Sequence, residues 1–150
     1  MKEKIKYAFY LLLPIIGGSI IGLLTNNSID YKELVKPPLS PPSIIFPIAW
    51  SIIYILLGIS YFLYKKDNND KLINIIYYIQ LFVNFSWTII FFILKLRFIA
   101  ILWIILLDIL VITLIIKFFQ KKKISAYLLI PYLLWILFAT YLTIGIYILN

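Results

Sequence analysis

A chain of 150 residues that is 64% hydrophobic, with a mean hydropathy of +1.04, carries more apolar surface than a water-soluble core of that size absorbs, so its solvent is a bilayer. The absence of cysteine and histidine removes disulfides, thiolate and imidazole metal sites, axial histidine ligation of haem and nucleophilic triads; no metal site and no obligatory cofactor is expected. The net charge of +8 would suit nucleic acid, but the lysines sit in short caps between apolar runs, where topology and anionic headgroups account for them, so no nucleic-acid partner is expected.

The first apolar run, about residues 7–24, follows the basic start MKEKIK. A secretory signal begins in the same way, but no small-residue cleavage site follows and the run ends in TNNS, so it is expected to remain as a helix. Within it Gly18 and Gly22 form a GxxxG that permits close approach of a neighbour. Contact within the chain, a backbone wall for a ligand and a dimer seam all fit. Residues 25–43 follow as a strap. Pro37, Pro38, Pro41 and Pro42 fall within six residues, fix φ and donate no hydrogen bonds, so the segment should be extended and semi-rigid. It is either a lid over a pocket or a plain connection between two spans.

The second run, 44–64, has Pro47 in its first turn, where a missing N–H costs little, and ends at KKDNNDK. After the third, 72–94, the short Lys95-Leu96-Arg97 link forces the fourth, 98–116, to return antiparallel. The fifth run, 124–149, follows Lys117 and the lysines at 121–123, and Pro131 should kink it about one turn from its start. Each run comes near or exceeds the ~18–20 residues that cross a bilayer. The expected fold class is an all-α integral membrane protein. Residues 1–150 form one domain, a five-transmembrane-helix bundle with a proline-rich loop between helices 1 and 2.

Lys2, Lys4, Lys6, Lys65, Lys66, Lys71, Lys117 and the lysines at 121–123 fall to one side of this layout, against Lys32, Lys36, Lys95 and Arg97 on the other. The positive-inside rule then places the N-terminus in the cytoplasm and the C-terminus outside with the strap.

Among the acids, Asp108 alone falls mid-span. An ionised carboxylate at that depth costs about 2.5–3.5 kcal/mol on insertion scales. It should therefore face protein or water, or be protonated, as a functional polar group or as a helix–helix hydrogen bond. Gln80, Asn84, Trp87 and Phe91 share one face of the third run; Phe46, Trp50 and Tyr54 recur every four residues in the second; Tyr132, Trp135, Ala139 and Leu142 share a face of the fifth. Trp103 reads as an interfacial anchor, whereas Trp87 and Trp135 lie deeper and read as pocket walls. Three aromatic faces, an amide and a strap suit a flat, largely apolar ligand with few polar groups.

The same residues carry a resemblance. Tyr31-x-x-Leu34-x-Lys36-Pro37, Pro41-Pro42 and Phe46-x3-Trp50-x3-Tyr54-x3-Gly58 are followed in order by Gln80-x3-Asn84-x2-Trp87-x3-Phe91-Phe92 and Pro131-Tyr132-x2-Trp135-x2-Phe138-Ala139-x-Tyr141-Leu142. The set resembles the TspO/MBR family, the tryptophan-rich sensory proteins related to the mitochondrial translocator protein (peripheral benzodiazepine receptor), and covers nearly the whole chain. The resemblance implies a multi-pass protein of the bacterial cell membrane, often a homodimer, whose first loop folds as a lid over a cavity. It implies tetrapyrrole ligands such as protoporphyrin IX, and isoquinoline carboxamide or benzodiazepine-like compounds. Carried over residue by residue, Tyr31, Pro41 and Pro42 belong to the lid. Trp50, Tyr54, Asn84, Trp87, Trp135 and Ala139 line the cavity, Asn84 for a directed hydrogen bond and the aromatics for stacking on a flat ring.

Two positions depart from the family: Asp30 stands where tryptophan is usual, and Thr143 where asparagine is. No lysine or arginine follows Lys123, so the animal members' C-terminal cholesterol motif is absent. The implied function is sensing, regulating or scavenging porphyrin, metal-free porphyrin suiting a chain without histidine or cysteine. The alternatives are light- and oxygen-dependent porphyrin degradation, with Trp50 and Trp135 as redox-active side chains in place of an ordinary catalytic set, and transport of a tetrapyrrole or other amphipath.

Overall fold

In lipid the hydrophobic effect does not press helices together, so their contacts rest on close packing and on hydrogen bonds between them. The computed structural model of the chain describes residues 1–26 and 31–150. Six helices form five membrane-length rods. They are α1 (Lys2–Thr25), α2 (Ile45–Asp67), α3 (Lys71–Thr88, continued by a π-helix over Ile89–Ile93), α4 (Arg97–Lys121), and a fifth made of α5 (Lys123–Leu128) and α6 (Ile130–Leu149). The rods outrun the apolar segments by a few residues because the flanking lysines continue the helices. Lys65, Lys66 and Lys121 occupy last turns, where a cation complements the helix dipole.

The fifth rod breaks where Pro131 predicts. Leu129 (φ −91°, ψ −6°) interrupts it, and Pro131 sits in the first turn of α6, where its ring does not collide with a helical carbonyl four residues back. Around the bundle the order is α1, α2, α5 with α6, α4, α3, and α3 closes back onto α1.

Glycine sets the closest approach. A Cβ on Gly58 would strike the backbone carbonyl of Leu11, so α1 and α2 touch main chain to side-chain-free surface there. Gly18 receives the ring of Tyr54, and Gly17 the ring of Phe85. The first glycine of the GxxxG is thus spent inside the chain, while Gly22 has open space before it. Ser60 and Ser125 join α2 to α5 reciprocally, each hydroxyl donating to the other's carbonyl at 2.7 Å. At the lysine-rich end Tyr61 stacks on Tyr77 at 3.8 Å, Asp70 caps α3 by accepting from the Ile73 amide, and Lys122 pairs with Asp67 at 2.6 Å.

Two further residues tie helices together. Trp103, expected as an interfacial anchor and six residues inside α4, donates its indole N–H to the Ser86 hydroxyl at 2.7 Å and so links α4 to α3. Asp108 accepts from the Thr140 hydroxyl at 2.7 Å, a bond between α4 and α6, and its second oxygen is buried without a partner among the described residues.

The strap is less extended than its prolines suggest. Tyr31–Glu33 make a 3-10 turn, and the chain from Leu34 to α2 is irregular. It is pinned along α6. The Tyr141 hydroxyl donates to the Pro38 carbonyl at 2.5 Å, and Pro37 presses on Gly145. The Asn150 amide both donates to the Val35 carbonyl (2.8 Å) and accepts from the Val35 N–H (3.1 Å). Asp30, the departure from the family pattern, lies outside the described residues.

Replacing Gly58 by alanine should force α1 away from α2 and destabilise the protein by about 1–3 kcal/mol, whereas Gly22→Ala should change little. Thermal unfolding in detergent, followed by circular dichroism, checks both.

Candidate functional site

Placed every four residues on α2, Phe46, Trp50 and Tyr54 point along one side of the helix. Tyr54 is the innermost. Its hydroxyl donates to Asn84 Oδ1 at 2.7 Å; Asn84 Nδ2 donates to the Tyr132 hydroxyl at 2.8 Å; the Tyr132 hydroxyl donates to Gln80 Oε1 at 2.8 Å. This chain crosses α2, α3 and α6 near the middle of the rods, and Gln80, Asn84 and Tyr132 are each at most 1% exposed. Its Tyr54 end is the floor of a cavity, with the other three behind it.

The cavity has a volume of about 940 Å³ and runs from Tyr54 and Ile15 up to the strap. That volume lies at the upper end of the usual range for small-molecule pockets. Its walls are aromatic. Trp50 stacks on Tyr54 (5.5 Å, 23°), Trp135 stands edge-on to Trp50 at 6.2 Å, and Trp87 stacks on Phe91 (5.4 Å, 23°). Ala139 and Thr143 leave room on the α6 side. The π-helix at Ile89–Ile93 follows directly on Trp87 and contains Phe91. Insertions of this kind are frequent at functional sites because they re-aim side chains relative to a regular helix. Arg97 holds it, donating Nε–H to the Phe91 carbonyl at 3.1 Å, its guanidinium 4.6 Å from the Phe91 ring centre.

Tyr31 forms the roof. It is 3% exposed, meets Phe46 edge-on at 4.9 Å and donates its hydroxyl to the Pro41 carbonyl at 2.6 Å. Burial raises its pKa above the ordinary tyrosine value, which keeps it a neutral donor. Lys36 reaches back to the Tyr31 carbonyl at 3.0 Å with its ammonium over the ring. Lys32 and Glu33 place one charge of each sign at the rim.

Of the residues singled out in the sequence, Tyr31, Trp50, Tyr54, Trp87, Trp135 and Ala139 line this cavity together. Pro41, Pro42 and Asn84 do not. Pro41 acts through its carbonyl on Tyr31, and the Pro42 carbonyl accepts the Ile45 N–H at the entry to α2. Asn84 stands behind Tyr54 with both ends of its amide engaged, so its directed hydrogen bonds go to two tyrosines. Thr143 lines the cavity, but its hydroxyl is spent on the Ala139 carbonyl at 2.7 Å. Phe46 and Phe91 also line it; both lay on the predicted aromatic faces. Lys32, Glu33, Ser43 and Ile44 had no signal, since the way a loop folds back over a bundle leaves no periodicity. The indole nitrogens of Trp87 and Trp135 are buried without a hydrogen-bond partner among the described residues.

Residues 10–149 match the TspO/MBR family. The chain belongs to that family. It is 39% identical over 144 residues to the tryptophan-rich protein TspO of Archaeoglobus fulgidus, covering 93% of this chain and 94% of the relative. It is 29% identical over 148 residues to protein CrtK of Rhodobacter capsulatus (96% and 92%), and 31% identical over 137 residues to translocator protein 2 of Canis lupus familiaris (86% and 80%). Relatives from an archaeon to a mammal thus match over most of the chain. The chain is a multi-pass membrane protein in contact with the bilayer.

Asn84→Leu would strand the Tyr54 hydroxyl and take a donor from Tyr132, at about 1–3 kcal/mol for each group left unsatisfied. Combined with Tyr54→Phe, it should cost less than the sum of the two single changes. A double-mutant cycle of thermal unfolding measures that coupling.

Proposed function

We propose that the cavity binds a flat, largely apolar macrocycle of the tetrapyrrole class, such as protoporphyrin IX, and that the protein senses, regulates or scavenges it. The observation that carries this reading is the aromatic wall. Trp50, Tyr54, Trp87, Phe91 and Trp135 surround one space under the Tyr31 roof. Planar rings stack on such faces at about 0.5–1.5 kcal/mol per aromatic pair beyond area burial. The cavity lining is mostly apolar, with Thr143, Ser51, Lys32 and Glu33 among its polar members, which suits a ligand with few polar substituents. Smaller flat ligands of the isoquinoline carboxamide or benzodiazepine type suit the same walls.

The names of two relatives, a tryptophan-rich sensory protein of Cereibacter sphaeroides and the canine translocator protein, agree with a small-molecule role. The strap then serves as the lid. The lysine distribution favours a cytoplasmic N-terminus, with the strap and C-terminus outside, in a bacterial cell membrane. A homodimer belongs to the same proposal.

The contact of Trp50 with Trp135 supports a second reading, light- and oxygen-dependent degradation of the bound porphyrin with the two indoles as redox-active groups. Transport of an amphipath finds less support, since Asp108 is bonded to Thr140 rather than facing the cavity.

Titration with protoporphyrin IX, read as quenching of tryptophan fluorescence, should show saturable binding. A Trp50→Ala, Trp135→Ala double variant should bind at least about tenfold more weakly, equivalent to about 1.4 kcal/mol; unchanged affinity overturns the pocket. Loss of the Soret band under light and oxygen should outpace that of free porphyrin in detergent if the second reading holds, and match it if binding alone is the function.

A further inference from the structure

We infer that the seam between α1 and α2 is a lateral portal, through which a membrane-dissolved ligand enters the cavity from the leaflet on the strap side. This rests on the proposal that the cavity binds such a ligand. The seam has two halves. Toward the lysine-rich end it is shut, with Gly58 against the Leu11 carbonyl and Gly18 against the Tyr54 ring. Toward the strap it opens. Among the described residues a Cβ built on Gly22 meets nothing within 4 Å, and Ser19, Gly22, Ser51 and Ile55 are exposed while lining the cavity.

Depth decides what that exposure means. Ser19 and Ser51 each lie about 9 Å along the helix axis from the strap end of their rods, at 1.5 Å per residue. In a hydrocarbon core of about 30 Å, a residue at that level meets acyl chains rather than water. The lips of the opening are suited to apolar passage. Each serine hydroxyl donates to its own helix, Ser19 to the Ile15 carbonyl at 2.7 Å and Ser51 to the Pro47 carbonyl at 2.6 Å, so neither presents an unmet donor to the bilayer. The space behind them is lined by the aromatic rings of Trp50, Trp87, Phe91 and Trp135, which makes it a place where an entering flat molecule has surfaces to stack on.

The other route, under the strap, is tied down. Tyr141 bonds to Pro38 and Asn150 twice to Val35, and these would have to part for the roof to lift away from the last helix, while the Tyr31–Pro41 bond stiffens the roof itself. The open seam requires no hydrogen bond to break. An amphipathic ligand that partitions into the leaflet is therefore presented to the slot by two-dimensional diffusion, with its polar edge at the interface and its ring in the hydrocarbon.

The test fills the slot and leaves the pocket. Gly22→Leu puts a side chain into open space, and Ser51→Leu does so from the facing lip. Protein in vesicles is mixed with vesicles preloaded with protoporphyrin IX, and tryptophan quenching is followed in time. Both variants should associate at least about tenfold more slowly and also release more slowly, since a filled slot hinders passage in both directions. Unchanged rates in variants that unfold at the wild-type temperature overturn the portal.

A ligand-free arm separates the two proposals. The chain has no cysteine, so Gly22→Cys and Leu23→Cys each carry one spin label at nearly the same depth. Relaxation by membrane-dissolved oxygen at position 22 should fall within about twofold of that at the exposed position 23; a far lower value overturns the open seam. Failure of the wild-type protein to take up porphyrin overturns the proposed function instead, and the oxygen measurement still decides the seam.

Discussion

One run of hydrogen bonds, Tyr54 to Asn84 to Tyr132 to Gln80, holds α2, α3 and α6 together where the bilayer offers no solvent to replace it. Lipid is as apolar as the side chains that face it, so burial alone cannot decide which helices meet. A polar group stranded at that depth costs several kcal/mol, so the amide and hydroxyls select the arrangement that pairs them. Once Tyr54 is pinned by Asn84, its ring comes to rest against Gly18, and the approach of α1 to α2 follows. The same ring is the bottom of the cavity. The interaction that joins the bundle thus also sets where the empty space begins.

Above that floor the design changes from close packing to spacing. Aromatic residues on α2, α3 and α6 lean on one another in stacked and edge-on pairs, which makes the walls stiff without filling the space between them. The π-helix at Ile89–Ile93 turns Phe91 toward the stack with Trp87. The roof is assembled differently, from main-chain carbonyls of the proline segment accepting from Tyr31 and Tyr141. Prolines cannot donate, but their carbonyls are good acceptors, and a stiff segment holds them in register at low entropic cost. Aromatic walls and a pinned roof together keep the cavity open rather than packed.

Much of the fold was legible because membrane constraints write themselves into composition. Run length, charged caps and Pro131 located five rods and the break in the last to within a few residues. Helical periodicity put Trp50, Tyr54, Trp87, Trp135 and Ala139 on faces that meet at one cavity. It misplaced Asn84, because a shared face says that an amide points inward but not whether a ligand or a tyrosine will meet it. It also gave no sign that Trp103 bonds Ser86, since distance from a helix end carries no information about a serine on the neighbouring helix.

What this sequence determined by itself was the number and approximate ends of the rods, the absence of histidine and cysteine side chains, and a shared face on the second, third and fifth helices, all of which follow from local composition and a 3.6-residue period. Only the tertiary structure decided which inward groups pair with one another, that Gly18 is closed by a ring while Gly22 stays open, and that the strap folds over α6 by way of Tyr31, Tyr141 and Asn150. Those outcomes depend on contacts between residues far apart in the chain. Local pattern can place a donor on a helix face, but only packing chooses its acceptor.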